Sequence, residues 1–252
     1  MDLIQALAAE LGKDPRHVEN VVHLLDEGNT IPFIARYRKE LHGAMDDTSL
    51  RTLEERLQYL RGLEERREAV KKSIDEQGKL TDELAAAIDS AKTLAEVEDL
   101  YRPYKQKRRT RATMAKEKGL EPLAALLFAQ ERDCPRLEEA ARDFVDPEKG
   151  VETVEDALQG ASDIIAEQIS DDAAIRKSLR ALISRQGQLV SRAATEDDSV
   201  YRLYYDFTQS VARLQGHQVL AINRGEKEGI LKVSITLDRE QALPLLRRAV
   251  VK

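Results

Sequence analysis

A chain of 252 residues that is 42% hydrophobic can bury one large core or two modest ones. Its formal net charge is -6, with 34% charged residues, 4% aromatics and no tryptophan, a balance rich in Ala, Leu, Glu, Lys and Arg that favours helices. No apolar stretch approaches the roughly 20 residues of a membrane span, no basic signal peptide follows Met1, and the one cysteine, Cys134, has no internal disulfide partner, so the expectation is a soluble, cytoplasmic protein.

The first 43 residues divide into three short helical units. Leu3, Ile4, Leu7 and Leu11 share one face and Gly12 ends the unit; Asp14-Pro15 opens the second, which carries Val18, Val21, Val22 and Leu25 as far as Gly28. The third begins at Asn29-Thr30 and carries Ile31, Phe33, Ile34 and Tyr37. Three short helices with tight joints have the outline of a helix-turn-helix whose third element presents Arg36, Arg38 and Lys39 outward, an outline shared by small bundles that bind no DNA.

From roughly Thr48 to Gln77, Leu50, Leu53, Leu57, Leu60, Leu63, Val70 and Ile74 recur at helical spacing, predicting one long amphipathic helix stopped by Gly78. Such a helix would reach on the order of 45 Å, which suggests an elongated shape. Two shorter helices follow, Thr81 to Ser90 and Thr93 to about Tyr101, the latter opened by a Thr93/Glu96 capping box. Pro103 ends it where a basic run begins: between Arg102 and Lys118 eight Lys or Arg residues face the single acid Glu117. Arg102, Lys105, Lys107, Arg108, Arg109 and Arg111 are thereby placed in a loop or at a helix entrance. They are candidates to neutralise phosphates, with Tyr101 and Tyr104 available to stack on bases or to pack in the core. The same arginines can instead pair with the acids of neighbouring helices.

From Gly119 onward Leu120, Leu123, Leu126 and Leu127 form a stripe, and helices are expected near Arg136–Phe144, Val151–Ile169 and Asp171–Gln186, stacked as antiparallel hairpins. Acids outnumber bases about two to one between Leu120 and Val200, which suits scaffolding or a basic partner better than phosphate. An aromatic-rich segment, Val200–Leu214, is followed by two expected strands, Gln218–Asn223 and Ile230–Thr236, joined by Arg224–Gly229 as a β-hairpin, and by a last helix around Glu240–Val251. The expected organisation is mainly α: a helix-turn-helix-like unit (1–43), long helix and basic loop (44–118), helical scaffold (119–199), and helix plus hairpin (200–252). A hairpin alone is marginal in water, so it is expected to pack on a helix or to join a larger sheet, which would imply more protein after Lys252.

The chemistry of catalysis finds no constellation here, and no cofactor is expected. His17, His23, His42 and His217 do not fall in i, i+4 pairs and are expected at the surface or at caps. Asp46-Asp47, Asp171-Asp172 and Asp197-Asp198 are adjacent pairs that suit helix starts, and Gly225 and Gly229 suit turns.

Three segments in order, Thr30-Ile31-Pro32-Phe33-Ile34-Ala35-Arg36-Tyr37-Arg38-Lys39-Glu40, Glu98–Lys105 through Arg109–Ala112, and Leu220-Ala221-Ile222-Asn223-Arg224-Gly225-Glu226, resemble the N-terminal region of the bacterial Tex family of transcription accessory factors. The resemblance spans nearly the whole chain. It implies a longer architecture, continuing with a YqgF-type RNase H-like domain, helix-hairpin-helix motifs and an S1 RNA-binding domain, none visible here. One departure is His217-Gln218, where family members commonly carry His-Arg. Because Tex affinity is expected to rest heavily on the S1 domain, the resemblance implies at most weak RNA or DNA binding by this region. It leaves open a scaffold that contacts RNA polymerase or braces other domains. Oligomeric state is not legible.

Overall fold

A computed structural model describes residues 2–106, 108–132, 134–196 and 198–252. The chain folds as two compact units that divide between Tyr104 and Lys105, within the segment 44–118 expected to hold both the long helix and the basic loop. Each unit has its own apolar core.

The first unit contains α1 (Leu3–Leu11), α2 (Pro15–Asp26), α3 (Ile31–Tyr37), α4 (Asp47–Asp75), α5 (Asp82–Ser90) and α6 (Leu94–Tyr101). The starts follow the expected chemistry. The carboxylates of Asp2, Asp14 and Asp46 accept backbone N–H groups of the first turns of α1, α2 and α4, and Thr81 and Thr93 do the same for α5 and α6. Gly12 leaves α1 in the left-handed region at φ 61°, where its missing Cβ removes the steric cost.

The long helix α4 organises this unit. Its seam of Leu50, Leu53, Leu57, Leu60, Leu63, Val70 and Ile74 is buried, and α1, α2, α3, α5 and α6 all pack on the helix. Its arginines tie those neighbours down at the surface: Arg56 donates two hydrogen bonds to Glu10 of α1, Arg61 two to Asp26 of α2, and Arg66 one to Glu98 of α6. The hydrogen bonds from Arg56 and Arg61 hold the Glu10 and Asp26 carboxyls below their ordinary values.

Two expectations for this unit are corrected. The hydroxyl of Thr93 accepts the Glu96 N–H at 3.2 Å, but the returning Glu96 carboxylate accepts from the N–H of Lys92 rather than of Thr93. The box therefore closes one residue early, and a reciprocal box occurs instead at Thr153 and Asp156. His42 is buried, 1% exposed, because the turn after α3 folds it into the core rather than leaving it at the surface. On α3, Ile31 and Ile34 are buried while Phe33 and Tyr37 face outward. At 100° per residue, positions 33 and 37 form an i, i+4 pair that lies off the Ile31/Ile34 face.

The second unit builds α7 (Arg111–Glu117), α8 (Glu121–Ala129), α9 (Leu137–Arg142) and α10 (Val154–Asp171) around one core. Small residues set its spacing. Ala157, Gly160 and Ala161 of α10 meet Ala112 and Ala115 of α7, and a Cβ at Gly160 would fall 3.3 Å from the Ala115 Cβ and 2.3 Å from a Leu120 methyl. Of the expected stripe, Leu120 and Leu123 are buried, while Leu126 is exposed. Beyond it follow α11 (Ala173–Gln186), β1 (Gln188–Ala193), β2 (Asp206–Ser210), α12 (Gly216–Lys227), β3 (Leu231–Thr236) and α13 (Arg239–Val250). As expected, Asp46 and Asp172 stand at helix starts, but Asp171 is the last residue of α10 and Asp198 opens no helix; Asp197 lies outside the described residues.

The expected hairpin is replaced by a three-stranded antiparallel sheet in the order β2-β1-β3, so that Val190 lies between Thr208 and Ser234. Residues 218–223 are helical. Ile222 and Gly225, three apart, are the buried positions of α12, and Gly225 makes no turn: a Cβ there would lie 2.9 Å from Leu231 Cγ and 3.1 Å from Tyr201 Cγ. Sequence reading missed both β1 and β2; β1 buries Leu189 and Ser191 on one face, and the serine conceals the alternation.

Candidate nucleic-acid interface

The basic segment occupies the passage from one unit to the next. On the side of the first unit, α6 ends at Tyr101 and gives way to a short 3-10 turn, Arg102–Tyr104, because Pro103 cannot continue the helix. Tyr101 is partly buried, its hydroxyl 3.0 Å from that of Ser73 and its ring beneath the Arg66 guanidinium. Tyr104 is likewise partly buried against the first core, with its carbonyl accepting from Gln77. Both rings thus contribute to packing.

On the side of the second unit, Thr110 caps α7 by accepting the N–H of Thr113 and donates to the Glu167 carboxylate of α10 at 3.1 Å. The described basic residues before it are left at the surface. Arg102 and Lys105 are exposed, and Lys107 lies outside the described residues. Arg108 is exposed and makes no hydrogen bond or ion pair among the described residues. Arg109 meets Glu117 at 2.7 Å yet stays 68% exposed, and Arg111 lies 3.8 Å from Asp163 while 80% exposed. Exposed pairs of this kind contribute about 0–1 kcal/mol, so an incoming phosphate displaces the carboxylate at little cost. The last two bases are engaged otherwise: Lys116 with Glu121 and Lys118 with the Gly150 carbonyl.

The second predicted cluster sits on α3 and the turn after it. Arg36 and Lys39 are exposed and Arg38 is half-buried. Sequence reading overlooked the two rings between them. Phe33 and Tyr37 are 36% and 57% exposed with centroids 5.3 Å apart, Arg38 lies over Phe33 at 5.3 Å, and Arg36 lies 6.0 Å from the Tyr37 centroid. The i, i+4 spacing of the rings was the available signal.

Among the described residues no group of three His, Cys, Asp or Glu side chains gathers as metal ligands, and no helix is long and apolar enough to cross a membrane. The four histidines are dispersed: His17 is half-buried, His42 is buried, His217 is exposed, and exposed His23 stands 3.2 Å from Glu27.

Residues 1–75 match the Tex-like protein N-terminal domain, and residues 135–250 match the Tex central region. The chain belongs to the Tex family. It is 48% identical over 235 residues to Protein YhgF of Escherichia coli, covering 92% of this chain and 30% of that protein. It is 42% identical over 239 residues to the Transcriptional accessory protein Tex of Neisseria gonorrhoeae (93% and 31%). A more distant human relative, S1 RNA-binding domain-containing protein 1, is 30% identical over 247 residues (94% and 24%). The chain thus spans about a third of the length of the curated relatives it matches most strongly. In Tex terms, the α3 cluster falls inside the match to the N-terminal domain, whereas Arg102–Arg111 lies between the two matched regions.

Proposed function

We propose that this part of a Tex protein is a helical module that assists the association of a cytoplasmic transcription accessory factor with nucleic acid, with Arg102, Lys105, Lys107, Arg108, Arg109 and Arg111 taking phosphates. One observation carries the reading. In a chain of net charge -6, Arg108, Arg109 and Arg111 follow one another at the surface, the first without a partner among the described residues and the others only lightly engaged by carboxylates. A local reversal of sign of this kind concentrates a positive field that draws an anionic polymer. Tyr104, half-buried, holds the approach to the segment rather than offering a free ring face.

The test is a titration of the chain with a mixed single-stranded RNA at about 50 and about 200 mM salt, where each phosphate contact contributes about 0.7 to the slope of log affinity against log salt. The variant R108A/R109A/R111A is expected to bind more weakly and with a slope lower by about 2. Undetectable binding at low salt, or a variant that matches the parent in affinity and slope, rejects the proposal.

A second reading draws on the pairs Arg109–Glu117 and Arg111–Asp163, which also brace the start of α7. In it the module is a scaffold for the transcription machinery or for other domains of the same protein. Nuclease-resistant capture of RNA polymerase, unaffected by the triple substitution, favours this scaffold.

A further inference from the structure

The outward side of α3 lacks the ion pairs that the arginines of α4 make. Elsewhere on that unit the arginines of α4 end on carboxylates: Arg51 on Asp47, Arg56 on Glu10, Arg61 on Asp26 and Arg66 on Glu98. On α3 the guanidinium groups of Arg36 and Arg38 lie against aromatic rings instead. Among the described residues neither they nor Lys39 makes an ion pair with an acid. The rings are not required by the core, which takes Ile31 and Ile34 from another side of the same helix. Two exposed aromatics with three uncompensated cations therefore share one short face.

We propose that this face is a stacking platform for single-stranded nucleic acid, with Phe33 and Tyr37 receiving unstacked bases and Arg36, Arg38 and Lys39 receiving phosphates; the inference rests on the reading that the module associates with nucleic acid. Charge complementarity selects a polyanion. The rings select among polyanions: an aromatic side chain binds the π-face of a base, and that face is open only where the strand is unpaired. The nearby guanidinium groups, with Cζ 5.3 Å from the Phe33 centroid and 6.0 Å from the Tyr37 centroid, add cationic surface beside the rings. Duplex reading by a recognition helix would aim the arginines at base edges, whereas Arg36 and Arg38 here lie toward the two exposed rings.

The absence of tryptophan supplies the probe. In the full chain, Y37W introduces a single indole at the platform, and stacking against a base quenches its emission. Oligouridylate and oligothymidylate of about 10 nucleotides are compared with a duplex and with polyglutamate, and affinities are measured in parallel for F33L/Y37L, which keeps apolar bulk but removes the rings. Expected is quenching of Y37W by one or both single strands but by neither the duplex nor polyglutamate, with binding by F33L/Y37L weakened about tenfold or more and its thermal melting unchanged. The stronger of the two homopolymers identifies RNA or DNA as the ligand.

If the parent chain binds single strands but F33L/Y37L binds equally well and Y37W is unquenched, this inference falls and the proposed function stands. If the parent chain binds no nucleic acid, both fall. Quenching by polyglutamate alone assigns the face to an acidic protein and overturns the inference, as does equal quenching by the duplex. Should F33L/Y37L fail to fold, Y37L alone, at the more exposed ring, carries the affinity comparison.

Discussion

Arg67 is a demanding residue to have buried, and substitution separates what it contributes from what it costs. Its side chain is 2% exposed on α4. One terminal nitrogen meets Glu64 at 2.6 Å, the other donates at 2.5 Å to the carbonyl of Ala91 at the end of α5, and Nε has no partner. Cutting back to alanine withdraws two stem methylenes, Cγ and Cδ, worth about 1.6 kcal/mol at ~0.8 each. It also orphans the Ala91 carbonyl, a further ~1–3 kcal/mol. Against this, a desolvated cation with one unsatisfied N–H disappears, returning ~1–3 kcal/mol. R67A should therefore lose about 2 kcal/mol, whereas R67M, which keeps most of the stem volume, should stay within ~1 kcal/mol of the parent. E64A should cost about 1–3 kcal/mol, because it leaves a terminal N–H of the buried guanidinium without its carboxylate. Because two units can unfold in separate steps, the assay is urea denaturation read by pulsed hydrogen exchange in α4 to α6. The reasoning is refuted if R67A lies within ~0.5 kcal/mol of the parent, or if R67M is as damaging as R67A.

Other expectations follow from particular contacts. G225V should destabilise the second unit by about 1–3 kcal/mol, because its Cβ would press on Leu231 and Tyr201; a turn glycine free of neighbours would tolerate the change, so an unchanged urea midpoint argues against the helical packing. T153A should cost about 1 kcal/mol by opening the capping box of α10, detectable as a lowered thermal midpoint. The carboxyls of Glu10 and Asp26 titrate below their usual 4.5 and 3.8, so their pairs with Arg56 and Arg61 stabilise the fold above those values and lose that contribution as pH falls through the lower folded-state values. E10Q/D26N should accordingly lower stability at pH 7 by under about 1 kcal/mol per exposed pair and flatten the acid limb of a stability–pH curve; an acid limb as steep as the parent's speaks against the pairs.

Much of the first unit was legible because its signals are local. Asp14-Pro15, Thr81 and Thr93 mark helix starts by backbone chemistry within one turn, and the α4 leucines state a helical period over many turns. The candidate site was legible in part for the same reason: Pro103 must break a helix, and the charges around it are visible in one dimension. Less legible was the meaning of single residues whose role depends on distant neighbours. Glu96 caps with its carboxylate, yet chooses Lys92 over Thr93. Tyr104 reads as a stacking ring or a core ring until Gln77 and the first core are seen around it.

Sequence alone determined the mainly helical class, the long α4, the breaks at Gly12, Gly78 and Pro103, and the compact run of cations, since each follows from propensity, period or charge within a few residues. Tertiary structure decided that 218–223 is helix rather than strand. Gly225 has to pass beneath Leu231 and Tyr201, while β3 finds its partner in β1, some forty residues earlier in the chain. It also decided which cations remain available, because whether Arg109 or Arg111 faces solvent or a carboxylate depends on where α7 and α10 bring Glu117 and Asp163. Strand pairing and charge compensation join residues that chain order keeps apart, and their energies exist only once the fold has closed that distance.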